Sequence, residues 1–367
     1  MNYSTYRHHS VQGRYVSPRI LFEKWLGHLN GPTIKVVGKS VEERPIHSIT
    51  LGNGIKRVLM WSQMHGNEST TTKAVMDLIN FLGSNNPLSN TIIDNCTLCI
   101  IPMLNPDGSN AYTRVNANQV DLNRDAKNQT QPESKVLREI FDTFEPDFCL
   151  NLHGQRTLFS AGNTDKPATV SFLSPSSNPE RDITPAREVA MKLIVAMSQN
   201  LQSLIPGQIG RYDDSFNDNC VGDTFQMMNV PTILFEAGHH PKDYEREKTR
   251  EYIFQSLVEC LKTIAMDKID EFETSHYFDI PENQKLFYDI FVKSPHMVNP
   301  KLSSEAQIGI SYREELNENT IQFIPEIAAV GNLKGKYGHE YLNCSKPEDF
   351  KALVSKEEIL ELVREAK

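Results

Sequence analysis

Short apolar runs alternate along the chain with longer stretches whose apolar positions recur every three or four residues. These are the periods of buried strands and of amphipathic helices. The N-terminal segment reads as a loop followed by a helix over 20–29, with Leu21, Trp25 and Leu29 on one stripe and Asn30-Gly31-Pro32 as its stop. Strands are predicted over 33–37, 46–51 and 57–61, the last two joined by a Gly52-Asn53-Gly54 turn. Ala74, Leu78 and Phe81 line one side of a helix over 70–82. A strand over 97–103 breaks at Asn105-Pro106-Asp107-Gly108, whose composition demands a turn. A helix over 133–144, a strand over 147–152, a helix over 185–204, a strand over 232–235 and a helix over 245–266 continue the alternation. The polar stretch 207–220, broken by Gly, Asn and Asp, reads as a long loop over a site.

Strands alternating with helices predict an α/β fold, with helices on both faces of the sheet. After about residue 275 the pattern changes. Strand-like runs over 286–292, 307–312 and 320–327 have no helix between them, and Ser345/Glu348 and Ser355/Glu358 have the spacing of capped helix starts. The expected organisation is a main domain over 1–275 and a small β-rich C-terminal domain over 276–367 that ends in short helices.

Composition narrows the partners. Of 367 residues, 39% are hydrophobic and 23% charged, as in ordinary globular proteins. A net charge of −9 argues against nucleic acid as a main partner. No run reaches the ~18 apolar residues of a membrane span, and the polar start Met1-Asn2-Tyr3-Ser4-Thr5 lacks the apolar stretch of a secretory leader. The expectation is a cytoplasmic protein that uses neither membrane nor nucleic acid. The six cysteines are scattered, and Cys96 and Cys99 lie in the apolar run 96–103, where strand geometry would put their side chains on opposite faces, as core residues rather than a redox or zinc pair.

Chemistry gathers at strand ends. The run Val58-Leu59-Met60-Trp61 leads into His65-Gly66-Asn67-Glu68. A second histidine, His153, follows Leu150-Asn151-Leu152, and Glu236 follows Thr232-Ile233-Leu234-Phe235. Open α/β sheets place their sites at such edges. The spacing His-x-x-acid recurs at His240/Asp243 and His276/Asp279, so His65/Glu68 gains its weight from the strand before it and the residues after it. Each residue alone has a bland reading as a surface acid or satisfied core histidine. Two His and two Glu at strand ends, with Arg114 and Arg124 in the chain nearby, are hard to assemble by accident. Imidazole and carboxylate together suit Zn2+.

In these residues the chain resembles the zinc metallocarboxypeptidases of the carboxypeptidase A and B type. The matching pieces are Gly38-Lys39-Ser40-Val41-Glu42-Glu43-Arg44-Pro45-Ile46, His65-x-x-Glu68, Asn105-Pro106-Asp107-Gly108, Val120-Asp121-Leu122-Asn123-Arg124, His153 and Glu236, in the family's order over residues 33–240. The resemblance implies a mixed β-sheet with helices on both faces and one Zn2+ per chain held by His65, Glu68 and His153. It implies hydrolysis of the C-terminal amide bond of peptides by a metal-activated water, with Glu236 as general base. Asp121 would accept a hydrogen bond from the His65 ring and Arg114 would stabilise the oxyanion. Asn123 and Arg124 would hold the substrate's free carboxylate, and Tyr212 would be the tyrosine of a loop closing over the substrate.

The match has departures. Tyr212 stands at imperfect spacing from Glu236, Asp125 follows Arg124 where Asn is commoner, and Glu43 occupies a usual Gly position. The side-chain pocket cannot be aligned across 217–228. A second reading is an N-acyl-amino-acid deacylase similar to aspartoacylase and succinylglutamate desuccinylase. Those enzymes share His-Gly-Asn-Glu and Asp-Leu-Asn-Arg and carry a β-rich C-terminal domain that narrows the site. A peptidoglycan-peptide amidohydrolase and a catalytically dead binding protein complete the alternatives, the last disfavoured because no ligand residue is missing.

Overall fold

Residues 2–367 are described by a computed structural model. The chain begins with α1 (Pro18–Lys24), β1 (Thr33–Lys39), β2 (Pro45–Leu51), β3 (Lys56–Ser62), α2 (Thr70–Leu82), α3 (Pro87–Asn95), β4 (Cys96–Ile101) and α4 (Pro106–Ala111). It continues through α5 (Pro132–Phe144), β5 (Phe148–Gly154), β6 (Phe159–Ala161), β7 (Val170–Leu173), α6 (Pro185–Gln202), β8 (Ile209–Arg211), α7 (Val221–Met227), β9 (Thr232–Ala237) and α8 (Glu247–Ala265). Eight of these strands form one mixed sheet in the order β1-β2-β4-β3-β5-β9-β7-β8.

Its middle explains the apolar runs. Strands β4, β3, β5 and β9 lie parallel and adjacent, and parallel strands covered on both faces read as continuous hydrophobic segments. Val58, Met60, Leu150 and Ile233 pack on one face with α2, α6 and α8. Leu59, Trp61 and Cys149 pack on the other with α5 and α7. Cys96 enters the first cluster and Cys99 the second, and all six cysteines are free thiols. Trp61 is fully buried with its ring edge-on to Phe225 at 5.6 Å. Truncating such a residue costs about 3–5 kcal/mol.

Three local readings are corrected. The segment Asn105-Pro106-Asp107-Gly108 opens the helix α4 rather than forming a turn. The Asn105 side chain caps it by accepting from the Gly108 N–H at 2.8 Å, and Pro106 sits in its first turn, so turn-like residues here are helix-start residues. The two Ser-x-x-Glu sequences do not form capping boxes. Helices α9 (Pro347–Val354) and α10 (Glu357–Glu365) start after Lys346 and Lys356, while Ser345 and Ser355 bond to Asn343 and the Ala352 carbonyl. The stretch 207–220 contains the short strand β8 before its loop.

The C-terminal part adds β10 (Asn283–Lys285), β11 (Phe287–Lys293), β12 (Gln307–Asn317), β13 (Thr320–Gly331) and β14 (Tyr337–Asn343). A separate four-stranded sheet runs β13-β12-β11-β14, with Leu353, Ile359 and Val363 of the last two helices packed on Ile290, Ile308 and Ile310. Strand β10 instead pairs with β6, tying this part to the main body. Among the described residues no helix is long and apolar enough to cross a membrane.

Candidate active site

The parallel arrangement of β3, β5 and β9 brings their C-terminal ends to one edge. His65 and Glu68 sit in the loop after β3, while His153 and Glu236 are paired in register near the ends of β5 and β9. A glycine makes room for that loop. A Cβ on Gly66 would lie 1.9 Å from the Gly108 carbonyl carbon, so the loop and α4 touch backbone to backbone.

His65, Glu68 and His153 converge. His65 Nδ1 is 2.9 Å from Glu68 Oε1, His153 Nδ1 is 3.0 Å from Glu68 Oε2, and the two Nδ1 atoms are 3.0 Å apart. His65 Nε2 faces Asp121 Oδ1 at 3.0 Å. A carboxylate only accepts, so Asp121 fixes the ring by accepting from the Nε2–H, while Nδ1 is turned toward the other two groups. Burial opposes charge on the His65 ring, but Glu68 and Asp121 outweigh it and push its pKa up to about 9. Burial holds His153 neutral instead. The imidazolium beside it and the bond to His153 outweigh burial at Glu68 and hold its carboxyl below the usual range.

The three donor atoms of His65, Glu68 and His153 lie within 4.8 Å of one another, with the Asp121 carboxylate behind His65, a set that suits a divalent zinc-type ion. A cation at the convergence point would displace the proton that the His65 ring holds between these groups, since metal ligands bind deprotonated. One feature is less complete: His153 Nε2 is buried with no protein partner, unlike its counterpart on His65. The residues fit the metal.

The other expected residues meet in the same cavity of about 1090 Å3. Arg114 Nε lies 3.0 Å from Asp121 Oδ2 and its Nη1 3.6 Å from Glu68. Asn123 accepts from the Val221 N–H at 3.0 Å, and Arg124 reaches Cys220 Sγ at 3.0 Å. Tyr212 is half-buried with its ring edge-on to Phe159 at 5.3 Å. Glu236 keeps Oε2 buried without a partner, and burial together with the Glu68 charge raises its pKa well above the usual value. Asp223, also in the wall, is pushed up to about 7 by burial. The decoy pairs are elsewhere in function: His276 and Asp279 form an exposed pair at 2.8 Å, and Asp243 caps α8.

Part of the wall carries no signal in the sequence. Arg14, Tyr244, Tyr312, Glu314 and Phe323 line the cavity. The last three lie on the hairpin β12–β13, where nothing distinguishes them from ordinary strand residues.

The sequence profile of zinc carboxypeptidases matches residues 28–230. The chain belongs to the zinc carboxypeptidase family. Carboxypeptidase M of Mus musculus is 30% identical over 174 residues, 40% of this chain and 39% of that protein. Carboxypeptidase SOL1 of Arabidopsis thaliana is 31% identical over 137 residues, 32% of this chain and 28% of that protein. The chain thus matches less than half the length of these carboxypeptidases. Among solved structures, a metallo-carboxypeptidase from Burkholderia cenocepacia superposes with TM-score 0.56 at 21% identity, covering 69% of this chain and 70% of its own. A metallo-carboxypeptidase from Pseudomonas aeruginosa gives 0.54 at 17% identity, covering 70% of each chain. These two likenesses concern the carboxypeptidase fold, which agrees with the α/β sheet expected from the sequence.

Proposed function

We propose that the chain is a zinc-dependent carboxypeptidase that hydrolyses the last amide bond of a peptide with a free C-terminal carboxylate. The observation that carries this reading is the convergence of His65, Glu68 and His153 beside the register-paired Glu236, in one cavity with Arg114 and Arg124. Zinc, one per chain and held by the three converging residues, would supply Lewis acidity and lower the pKa of water.

The chain's own groups do the rest. Arg124 and Asn123 hold the substrate carboxylate, guanidinium being a paired donor for such an anion. That fixes the last amide over the strand edge. Glu236 takes a proton from water and returns it to the leaving amine, a role that its raised proton affinity suits. Arg114, turned toward Asp121 and Glu68, offers its remaining donors to the developing oxyanion. Tyr212 closes the wall beside Glu236. Asp121 fixes the His65 ring by accepting from Nε2.

An N-acyl amino acid also presents an amide beside a free carboxylate. The presence of the C-terminal hairpin in the cavity wall supports it as a second reading. The test is a screen of free-acid peptides beside N-acyl amino acids, with zinc measured in the same preparation. Equal turnover of peptides whose C-terminus is blocked as an amide would overturn the carboxypeptidase reading.

A further inference from the structure

We infer that the hairpin β12–β13 and Tyr244 build a subsite on the acyl side of the scissile amide, selective for an aromatic or bulky apolar side chain. The inference rests on the reading in which Arg124 holds the substrate carboxylate.

The two walls of the cavity belong to opposite faces of the sheet. Asn123 is bonded to the first residue of α7, and Arg124 to Cys220 just before it. Helix α7 packs with α5 on the Trp61 face. Tyr244 leads into α8, which packs on the other face. The strand edge with His65, His153 and Glu236 lies between them. A substrate anchored by its carboxylate at Arg124, with its amide at that edge, therefore directs the residues before the amide toward Tyr244 and the hairpin.

Three rings meet there. Tyr244 lies 5.4 Å from Tyr312 and 5.3 Å from Phe323, and Tyr312 lies 6.0 Å from Phe323, all edge-on. Each is half-buried and each lines the cavity. Edge-on clusters leave ring faces and edges open to a further aromatic group.

The simpler account makes the trio glue between hairpin and main body, but that attachment is already provided. Glu314 on β12 pairs with the buried Arg14 at 2.8 Å and accepts from Tyr112 Oη at 2.5 Å, while the buried Asp289 on β11 accepts from the Tyr312 N–H at 2.8 Å and from Tyr244 Oη at 2.9 Å. These contacts hold the rings in place before any ligand arrives, which lowers the ordering cost of binding. They leave half-buried aromatic surface facing the cavity, where a purely structural cluster would close over itself.

The test compares acetyl-Phe and acetyl-Ala dipeptides that share one C-terminal residue. Wild-type protein is expected to favour the Phe substrate by about tenfold or more in kcat/KM, or about 1.4 kcal/mol. Phe323→Ala and Tyr312→Leu should bring that ratio close to unity. Phe323→Leu guards against a folding defect by keeping bulk without the ring, and Phe323→Tyr should retain the preference. Titrating the same dipeptides into Glu236→Gln protein reads the ratio as binding, without turnover. Absence of a Phe preference in the wild type, or variants that weaken both substrates equally, would overturn the subsite. A C-terminally amidated partner for each dipeptide tests the carboxypeptidase reading separately, because loss of free-acid discrimination leaves the acyl ratio untouched.

Discussion

His153 and Glu236 stand opposite each other in register on β5 and β9, an imidazole and a carboxylate at the ends of neighbouring parallel strands. Strands in a sheet lie about 4.8 Å apart, so sheet geometry rather than loop conformation sets the distance between this metal-ligand candidate and the proposed base. The same register brings Glu236 near Glu68, whose charge adds to burial in raising the Glu236 pKa. Such an edge favours a cation between its carboxylates.

His153→Ala is expected to lose the metal. Elemental analysis should fall from one zinc per chain toward none, and the melting temperature of wild-type protein should drop on chelation, since an ion bound only by the folded state stabilises it by mass action. Unchanged zinc in the variant would remove His153 from the ligand set.

Asp121→Asn keeps the shape of the group facing His65 Nε2 but removes its charge. Groups that orient a metal-bound histidine typically contribute about 10–100-fold in metal affinity. Competition with a chelator should show a loss in that range, and an affinity equal to wild type would leave Asp121 to its other partners, Arg114 at 3.0 Å and the Asn123 N–H at 2.9 Å.

The strand ends were legible because β3, β5 and β9 are buried on both faces and so stand out as uninterrupted apolar runs leading into His65, His153 and Glu236. Helix α7 and strands β7 and β8 are too short to establish a period, and β14 reads Tyr337-Gly338-His339-Glu340-Tyr341-Leu342-Asn343, with no apolar run. Helix α4 was hidden because Asn105 and Pro106 serve helix starts as readily as turns. The hairpin's part in the cavity left no trace at all. Arg14 and Glu314 are 300 positions apart, and only the folded chain brings the C-terminal sheet against the N-terminal segment. The metal-ligand candidates, written as local motifs, were readable, and the long-range wall of the cavity was not.

Arg124→Ala should separate binding from structure. If the exposed guanidinium pairs with a substrate carboxylate, free-acid peptides should lose about tenfold or more in kcat/KM, or about 1.4 kcal/mol. Amidated peptides should lose far less. Equal losses on both would assign Arg124 to its contact with Cys220 near the start of α7.

The loop after Tyr212 is anchored by Asp214, paired with the buried Arg187 and with Arg181 at 3.1 Å. Burial opposes charge on Asp214, but the two guanidiniums outweigh it and lower its pKa. A depressed carboxyl pKa contributes stability above the unfolded value of about 3.9 and loses it as pH falls through the folded value. Asp214→Ala should therefore cost about 3–5 kcal/mol near neutrality, by leaving a buried Arg187 unpaired. The gap in melting temperature between wild type and variant should shrink as pH falls from about 5 toward 3. A gap independent of pH would show that the backbone carbonyls around Arg187 suffice to hold it.

Glu236→Gln tests the chemistry rather than the assembly. The residue stands one position before the end of β9, whose Phe235 is fully buried and paired with Leu152, so the amide should occupy the position of the carboxylate. Glutamine retains size and hydrogen-bonding capacity but cannot accept the proton of an attacking water. A base acting in the transition state contributes little to ground-state binding, so KM should change less than kcat. Turnover is expected to fall by at least ~10²-fold, the low end for a positioned acid–base group, with zinc content and melting temperature retained. Near-normal turnover by the zinc-replete variant would pass the role to the other acid in the cavity wall with a raised pKa, Asp223, and the same substitution there would decide it.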